Sequence, residues 1–426
     1  MASAVDVAKT HRVPVPDRKP WTIGETGIRE AILDDLVLKC LFTHGPFTIL
    51  ELADLTKLSF EVADILFSRM RSRVLCEVTG MSGNIPRIAI TSQGRTRALE
   101  LLSQSLYAGV APVSLESYVH QVRRQSLRSF DVHSDHVERA FAHMVIEPKM
   151  IRQFGTALNS GAPVFLYGPP GTGKTATAET LSRVLSEDAA WIPYAVEAEG
   201  QIITVYDPAI HKKIEIAKEH KYDERWVLCR RPAVMVGGEL TMEMLDLQFN
   251  PVSKYYVGPV QMKANSGVLI IDDFGRQRIP PEELLNRWVV PLDRRIEFLS
   301  LLGGRKIEIP FEMLVVFASN RDPAELMDGA FLRRIQTKIR IGAPSEEQFA
   351  RIFQRVAADL SLEADPRLVD ELIVIIRDTL GQELRACQPR DLINQICWSA
   401  KYEDRPPRID REALIDAVEA YFLPTR

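Results

Sequence analysis

Gly168, Pro169, Pro170, Gly171, Thr172, Gly173, Lys174 and Thr175 follow an apolar run at 162–167 and precede a helical pattern at 176–185. The segment reads as strand, glycine-rich loop and helix, the setting that a phosphate-binding loop requires. Its glycines let backbone N–H groups close around an anion at a helix N-terminus. Lys174 can reach the β and γ phosphates, and the Thr175 hydroxyl can hold Mg²⁺. The expected ligand is a nucleoside triphosphate cradled by residues 168–175. A glycine-rich turn met by chance is the bland alternative, but it would not bring strand, lysine, hydroxyl and helix in this order.

The 426 residues suggest two or three domains, and an apolar share of 46% is ample for globular cores. A net charge of −4 gives no overall basic field, which argues against a molecule built to coat nucleic acid or an anionic membrane. Five cysteines, Cys40, Cys76, Cys229, Cys387 and Cys397, lack zinc spacing and disulfide density and read as small hydrophobes in a reducing compartment. No stretch reads as a signal peptide or a membrane span, so a cytoplasmic protein without membrane insertion is expected.

Working outward from the loop, apolar runs at 190–196, 267–273, 313–320 and 337–342 alternate with helical patterns. Such alternation predicts an α/β fold with a parallel sheet covered on both faces. Upstream, 27–43, 48–55 and 59–70 read as three helices, with strand-like runs at 74–78 and 87–91. Helix, helix, helix, hairpin resembles a winged helix. Arg69, Arg71 and Arg73 crowd the end of its third helix, where they can touch phosphates or simply meet solvent. Downstream, Ser345 with Gln348 forms a capping-box pattern, and Asp365–Pro366, Pro389 and Ile409 precede further helices. The domains expected are a disordered tail at 1–24, a winged-helix-like α+β domain at 25–105 and a linker at 106–131. An α/β nucleotide-binding domain at 132–343, with an insertion at about 197–262, and a helical lid at 344–426 complete the chain.

The strand at 267–271 ends in Asp272 and Asp273, where an open α/β sheet presents ligand groups. Asp272 is the expected Mg²⁺ anchor with Thr175. Asp273 is the expected acceptor for the attacking water. Asn320 closes the strand at 314–319 and can orient that water, although Asn320, Arg321, Asp322, Pro323 is also a good turn. Arg333 and Arg334 precede the strand at 337–341 and suit a neighbour's phosphates, and Arg390 opens a helix that can close onto the γ-phosphate.

Phosphate loop, acidic pair, strand-end Asn, arginine pair and lid arginine, in that order from about Val132 to the C-terminus, resemble the AAA+ ATPase family. The resemblance implies Walker elements at Lys174, Thr175 and Asp272, sensor 1 at Asn320, a trans-acting finger at Arg334 or Arg333, and sensor 2 at Arg390. It also implies ATP and Mg²⁺ as cofactors and a homo-oligomeric ring, a hexamer. One departure stands out: the second acid is usually Glu, and Asp273 is shorter by one methylene. Tyr256, Val257, Gly258, Pro259, Val260, then Asp272 to Arg276 and Leu284, Leu285, Asn286, are similar to the MoxR-like branch, with Gly275 in place of its usual Asn. A hairpin expected at 296–301 and 306–309, turning at Gly303 and Gly304, is similar to the one that branch points into the ring pore. Tyr255 to Gly258 also echo the pore loop of protein-threading members.

The activity expected is an ATPase that remodels or assembles a protein client in a chaperone-like way, the client or adaptor meeting the N-terminal domain and the insertion. Two alternatives are a DNA-associated regulator that uses the winged helix, and a nucleotide-gated scaffold with slow hydrolysis.

Overall fold

The apolar run before the glycine loop forms the buried strand Val164–Tyr167, entered from the helix Pro148–Ser160 through Gly161, whose φ of 56° ends that helix in the left-handed region. In the computed structural model, residues 13–422 are described apart from 84, 130 and 217–221. Residues 1–12 of the expected tail, Phe130 of the expected linker, 217–221 of the expected insertion and 423–426 of the expected lid therefore lie outside the described residues.

A five-stranded sheet runs in the order Ala233–Val236, Val268–Ile271, Leu314–Ser319, Val164–Tyr167, Thr337–Arg340. Val164–Tyr167 pairs in parallel with both Leu314–Ser319 and Thr337–Arg340, so those three strands present their C-terminal ends at one edge. The fold is α/β, as the alternation predicted. One strand differs from the reading. The run at 190–196 does not join this sheet: Ala189–Pro193 pairs antiparallel with Trp226–Arg230, and Ala195–Ala198 belongs to another sheet. Every residue of Ala189–Pro193 is buried, so its apolar run gives the same signal as a parallel-sheet strand. The fifth place is filled by Ala233–Val236, a four-residue strand inside the stretch read as an insertion.

The described chain divides into two compact bodies. The first comprises Met1–Phe130, Leu185–Leu269 and Glu283–Leu314, and the second Asp131–Val184, Ile270–Glu282 and Val315–Arg426.

In the first body, helices Glu30–His44, Ile49–Thr56 and Phe60–Ser72 are followed by strands Cys76–Ser82 and Ile85–Ile90, which pair antiparallel, and Phe47–Thr48 adds a third strand. Thr48 and Glu51 form a reciprocal capping box at the second helix. A further helix, Ser92–Gln104, packs back on this unit through Ala98 and Leu101. Within the stretch read as a linker, Leu115–Arg124 is a helix that buries Tyr118, Gln121 and Val122. Residues 13–20 of the stretch read as a tail also have fixed neighbours: Val13 is buried and the Pro14 carbonyl accepts from Gln121 Nε2 at 2.7 Å.

The insertion region folds as a mixed sheet in the order Gln248–Asn250, Tyr255–Val257, Gln201–Thr204, Ala195–Ala198, Val113–Ser114. Arg225 ties it to the N-terminal unit. Its guanidinium is bidentate to Asp223 and donates to the carbonyls of Thr26 at 3.1 Å and Pro112 at 2.9 Å. A buried arginine needs this full set of acceptors. The expected hairpin is present as Ile296–Ser300 paired with Lys306–Pro310, with Gly303 and Gly304 at φ of 92° and 81°. Leu299, Leu301, Ile307 and Ile309 face the core, while Phe298 and Leu302 are exposed. Tyr256, in the echo of a pore loop, is buried, and its hydroxyl accepts from the Leu302 N–H at 2.7 Å. Its role here is packing.

In the second body the helices Glu346–Asp359, Pro366–Val374, Gln388–Tyr402 and Arg411–Tyr421 share a core that includes Phe349, Phe353, Leu372, Leu392 and Ile396. Ser345 and Gln348 form the reciprocal capping box that their spacing predicted. Among the described residues no helix is long and apolar enough to cross a membrane.

Glu297, on the hairpin, is buried against Arg287 at 3.1 Å, and its Oε2 has no hydrogen-bond partner among the described residues. Burial pushes its carboxyl up from an ordinary 4.5 to about 7, partly opposed by Arg287. A raised carboxyl means that the folded state holds the proton more tightly than the unfolded one. Stability contributed by that proton is complete below 4.5 and is lost as pH climbs to about 7. Urea midpoints measured across this window should fall with rising pH in the parent, and Glu297→Gln should flatten the slope. An unchanged slope in the variant would refute the assignment.

Candidate functional site

The phosphate loop is shaped by three glycines in left-handed or glycine-only backbone. Gly168, Gly171 and Gly173 have φ of 144°, 77° and 93°. Two of them also lack room for a side chain. A Cβ on Gly168 would stand 2.1 Å from the Ile341 carbonyl oxygen, and one on Gly171 would stand 2.8 Å from Cys387 Sγ. The helix Lys174–Ser186 begins directly after, so its free N–H groups and positive dipole end face the loop. Lys174 is buried, and its Nζ donates to the carbonyls of Gly168 at 3.0 Å and Pro169 at 2.7 Å. Burial lowers its pKa, and the negative charges of Asp273 and Asp272 act in the opposite direction.

Strand Val268–Ile271 delivers Asp272 to the same sheet edge. The Thr175 hydroxyl lies 3.1 Å and 2.9 Å from the two Asp272 oxygens. Asp273 follows in a left-handed conformation, φ 49°, uncommon for a non-glycine residue though aspartate tolerates it better than most. Hydrogen bonds of the next residue hold this turn. The Phe274 N–H donates to Ala318 O at 2.7 Å, and Ser319 Oγ donates to Phe274 O at 2.6 Å. Gly275 has φ 99°, a value that suits glycine better than the asparagine the resemblance led one to expect. Asn320 Nδ2 donates to Asp273 Oδ1 at 2.9 Å, joining the expected water-orienting amide to the expected water acceptor.

Residues 170–175, Asp272, Asp273 and Asn320 line one cleft of ≈ 940 Å³ together with Arg390, while Gly168 and Pro169 do not line it. Arg333 and Arg334 do not line it. Arg333 is exposed, and Arg334 donates from Nη1 to Ala330 O at 3.2 Å with its guanidinium 5.6 Å from the centre of the Phe331 ring. Arg390 is exposed and 3.5 Å from Asp391.

Three groups of lining residues escaped sequence reasoning. The segment His143, Met144, Val145, Ile146, Glu147 and Met150, with Ile352 and Val356 of the first C-terminal helix, gives this part of the cleft a mostly apolar lining, chemistry that suits an aromatic base. Residues 341–344 close the far side, and Cys387 touches the loop, its N–H donating to Gly171 O at 3.0 Å. Only the Met144 segment carried a usable signal, an apolar patch one helix upstream of the loop strand. The others depend on which chain segments fold back onto the loop.

The residues present fit a nucleotide with a divalent cation. A Cβ at Gly168 or Gly171 would fill the glycine cradle, apolar residues adjoin it, and a hydroxyl and a carboxylate stand together beside Lys174. No cluster of three or more His, Cys, Asp or Glu is found among the described residues, and Mg²⁺ held largely by phosphates and water needs none.

Residues 345–420 match the family model described as Domain of unknown function (DUF8689). Over 239 residues, 56% of this chain and 34% of the relative, the chain is 28% identical to a protein of Corynebacterium kroppenstedtii described as AAA ATPase forming ring-shaped complexes. Over 234 residues, 54% of this chain and 34% of the relative, it is 26% identical to the proteasome-associated ATPase of Kineococcus radiotolerans. The chain thus spans about a third of the length of these curated relatives. Among solved structures, a mutant of RuvB from Thermotoga maritima aligns with 70% of this chain and 72% of its own at 14% identity and a TM-score of 0.36.

Gly168→Ala tests the cradle. Backbone strain and the clash with the Ile341 carbonyl should destabilise the protein by about 2 kcal/mol or more in chemical denaturation. A variant as stable as the parent would show that the loop has another shape.

Proposed function

We propose, starting from the chain's place in the AAA+ ATPase superfamily, that it binds and hydrolyses ATP with Mg²⁺ as a homo-oligomeric ring and uses the cycle to remodel a protein client. The observation that carries this reading is the pair of contacts from Thr175 to Asp272 at 2.9 and 3.1 Å, hydroxyl and carboxylate side by side beneath a glycine cradle. In the proposed site, residues 168–175 hold the phosphates, Thr175 and Asp272 hold the metal, and Asp273 with Asn320 handles the attacking water. Arg390 meets the triphosphate from the same chain. Arg334, or Arg333, serves a neighbouring subunit, which is supported by both arginines lying off their own cleft. The likeness to ring-forming relatives supports assembly, and six subunits and a cytoplasmic setting belong to the same proposal.

A protein client is preferred to DNA. Arg69 is paired with Glu30 and Asp34, and Arg73 lies 3.1 Å from Asp34, so two of the three arginines expected to face phosphates are already engaged. The exposed Phe298 and Leu302 of the hairpin supply an apolar contact for a client, in keeping with the MoxR-like order of residues 255–309. The domains outlined from the sequence, a winged-helix-like unit, a nucleotide-binding unit with its insertion and a helical lid, are the working division of labour.

Light scattering in ATP should give a large assembly that is lost in Lys174→Ala and in Arg334→Ala, with turnover reduced roughly 100-fold in both. Assembly indifferent to both substitutions would overturn the reading.

A second reading, slow hydrolysis by a nucleotide-gated scaffold, draws on the Asn320 to Asp273 hydrogen bond and the short Asp273 side chain. Asp273→Glu should raise turnover roughly tenfold if the site is damped in this way. An equal or lower rate would leave the remodelling ATPase as the better description.

A further inference from the structure

The turn before helix Gln388–Tyr402 is held in one shape by a buried glutamine. Gln388 Nε2 donates to the Glu383 carbonyl at 3.1 Å, and its Oε1 accepts the Arg385 N–H at 2.8 Å. This turn rests on the phosphate loop. Beside the Cys387 hydrogen bond to Gly171, a Cβ on Gly171 would stand 3.3 Å from Arg385 Cδ and 3.5 Å from Arg385 Cβ. The aliphatic stem of Arg385 therefore lies on the glycine at the centre of the cradle, while its guanidinium has no ion-pair partner among the described residues.

Charge makes that free guanidinium significant. The cleft is lined by five carboxylates, Asp272 and Asp273 among them, against three cations. A triphosphate brings about four more negative charges, of which a bound Mg²⁺ offsets two. The loop N–H groups and Lys174 meet part of this charge, and a further cation beside them would meet more of it. Arg385 is not among the residues that line the cleft, but Ala386 and Cys387 beside it are, and an arginine has the reach to extend from Gly171 to a phosphate in the loop, where its planar donors suit phosphate oxygens.

We infer that Arg385 is a phosphate-binding residue of this cleft, a second lid cation beside Arg390, presented to the loop by the Gln388-braced turn. The inference rests on the nucleotide reading given above and names a ligand group that reading does not include.

Arg385→Met keeps the packed stem and removes the charge, and Arg385→Lys restores a charge without the fork. Dissociation constants of the full chain for fluorescent ATP and AMP analogues, measured at one ionic strength, test the point. Arg385→Met should weaken ATP about tenfold, equivalent to ~1.4 kcal/mol, leave AMP within twofold, and be partly rescued by Arg385→Lys. Equal losses for ATP and AMP would mean that the substitution only disturbs the turn, and no loss for ATP would mean that the guanidinium points elsewhere. Either overturns the inference while leaving the ATPase reading standing. A parent chain that binds neither nucleotide would instead overturn the ATPase reading and this inference with it.

Discussion

A buried lysine at the start of a helix governs the second body. The Lys174 ammonium sits in a place where desolvation opposes its charge, and two loop carbonyls with two nearby carboxylates supply the compensating field. Those carbonyls point inward only because Gly168, Gly171 and Gly173 take backbone conformations that side chains resist. Ile341 and Cys387 occupy the space a Cβ would need at Gly168 and Gly171. The parallel strands meet the same demand: Val164–Tyr167 is flanked in register by the strands that end near Asn320 and Ile341, so loop, amide and backbone wall arise at one sheet edge.

The acidic pair shows how two neighbouring carboxylates acquire different work. Asp272 faces Thr175, a hydroxyl that shares its metal-binding chemistry. Asp273 is turned by its left-handed backbone toward Asn320. Adjacent residues of a regular strand would point to opposite faces. Leaving the strand at Asp272 and reversing the chain through Asp273 and Gly275 is what lets both serve one cleft. The backbone at Asp273 is held by the Phe274 N–H bond to the Ala318 carbonyl and the Ser319 hydroxyl bond to the Phe274 carbonyl, so the site depends on the neighbouring strand for its shape as well as its chemistry.

In the first body, polar groups buried between segments carry much of the specificity. Arg225 satisfies Asp223 and two carbonyls from the N-terminal unit, and Arg231 pairs with Asp188 while donating to Gln125 and Ser266 carbonyls. Apolar contacts tolerate sliding, whereas a buried guanidinium held by several acceptors at once does not. The N-terminal unit, the mixed sheet and the hairpin thereby keep one arrangement within that body. The Tyr256 hydroxyl extends the same principle to the hairpin tip.

Local signals were enough for much of the second body. Gly168 to Thr175, the capping box of Ser345 and Gln348, and the acidic strand end at Asp272 are each set by residues within a few positions of one another, and backbone preference and capping act at that range. The hairpin turning at Gly303 and Gly304 belongs to the same class. The strand at 190–196 does not. A fully buried apolar run looks the same in a parallel sheet and in the antiparallel pair it makes with Trp226–Arg230, so its partner was decided by what packed beside it. The contacts of Arg385 and Cys387 with Gly171 likewise span more than two hundred residues of chain and leave no periodicity to read. What the sequence by itself determined was the chemistry available at the phosphate loop. Tertiary structure decided which distant charges and apolar groups surround it, because desolvation and close packing depend on neighbours in space.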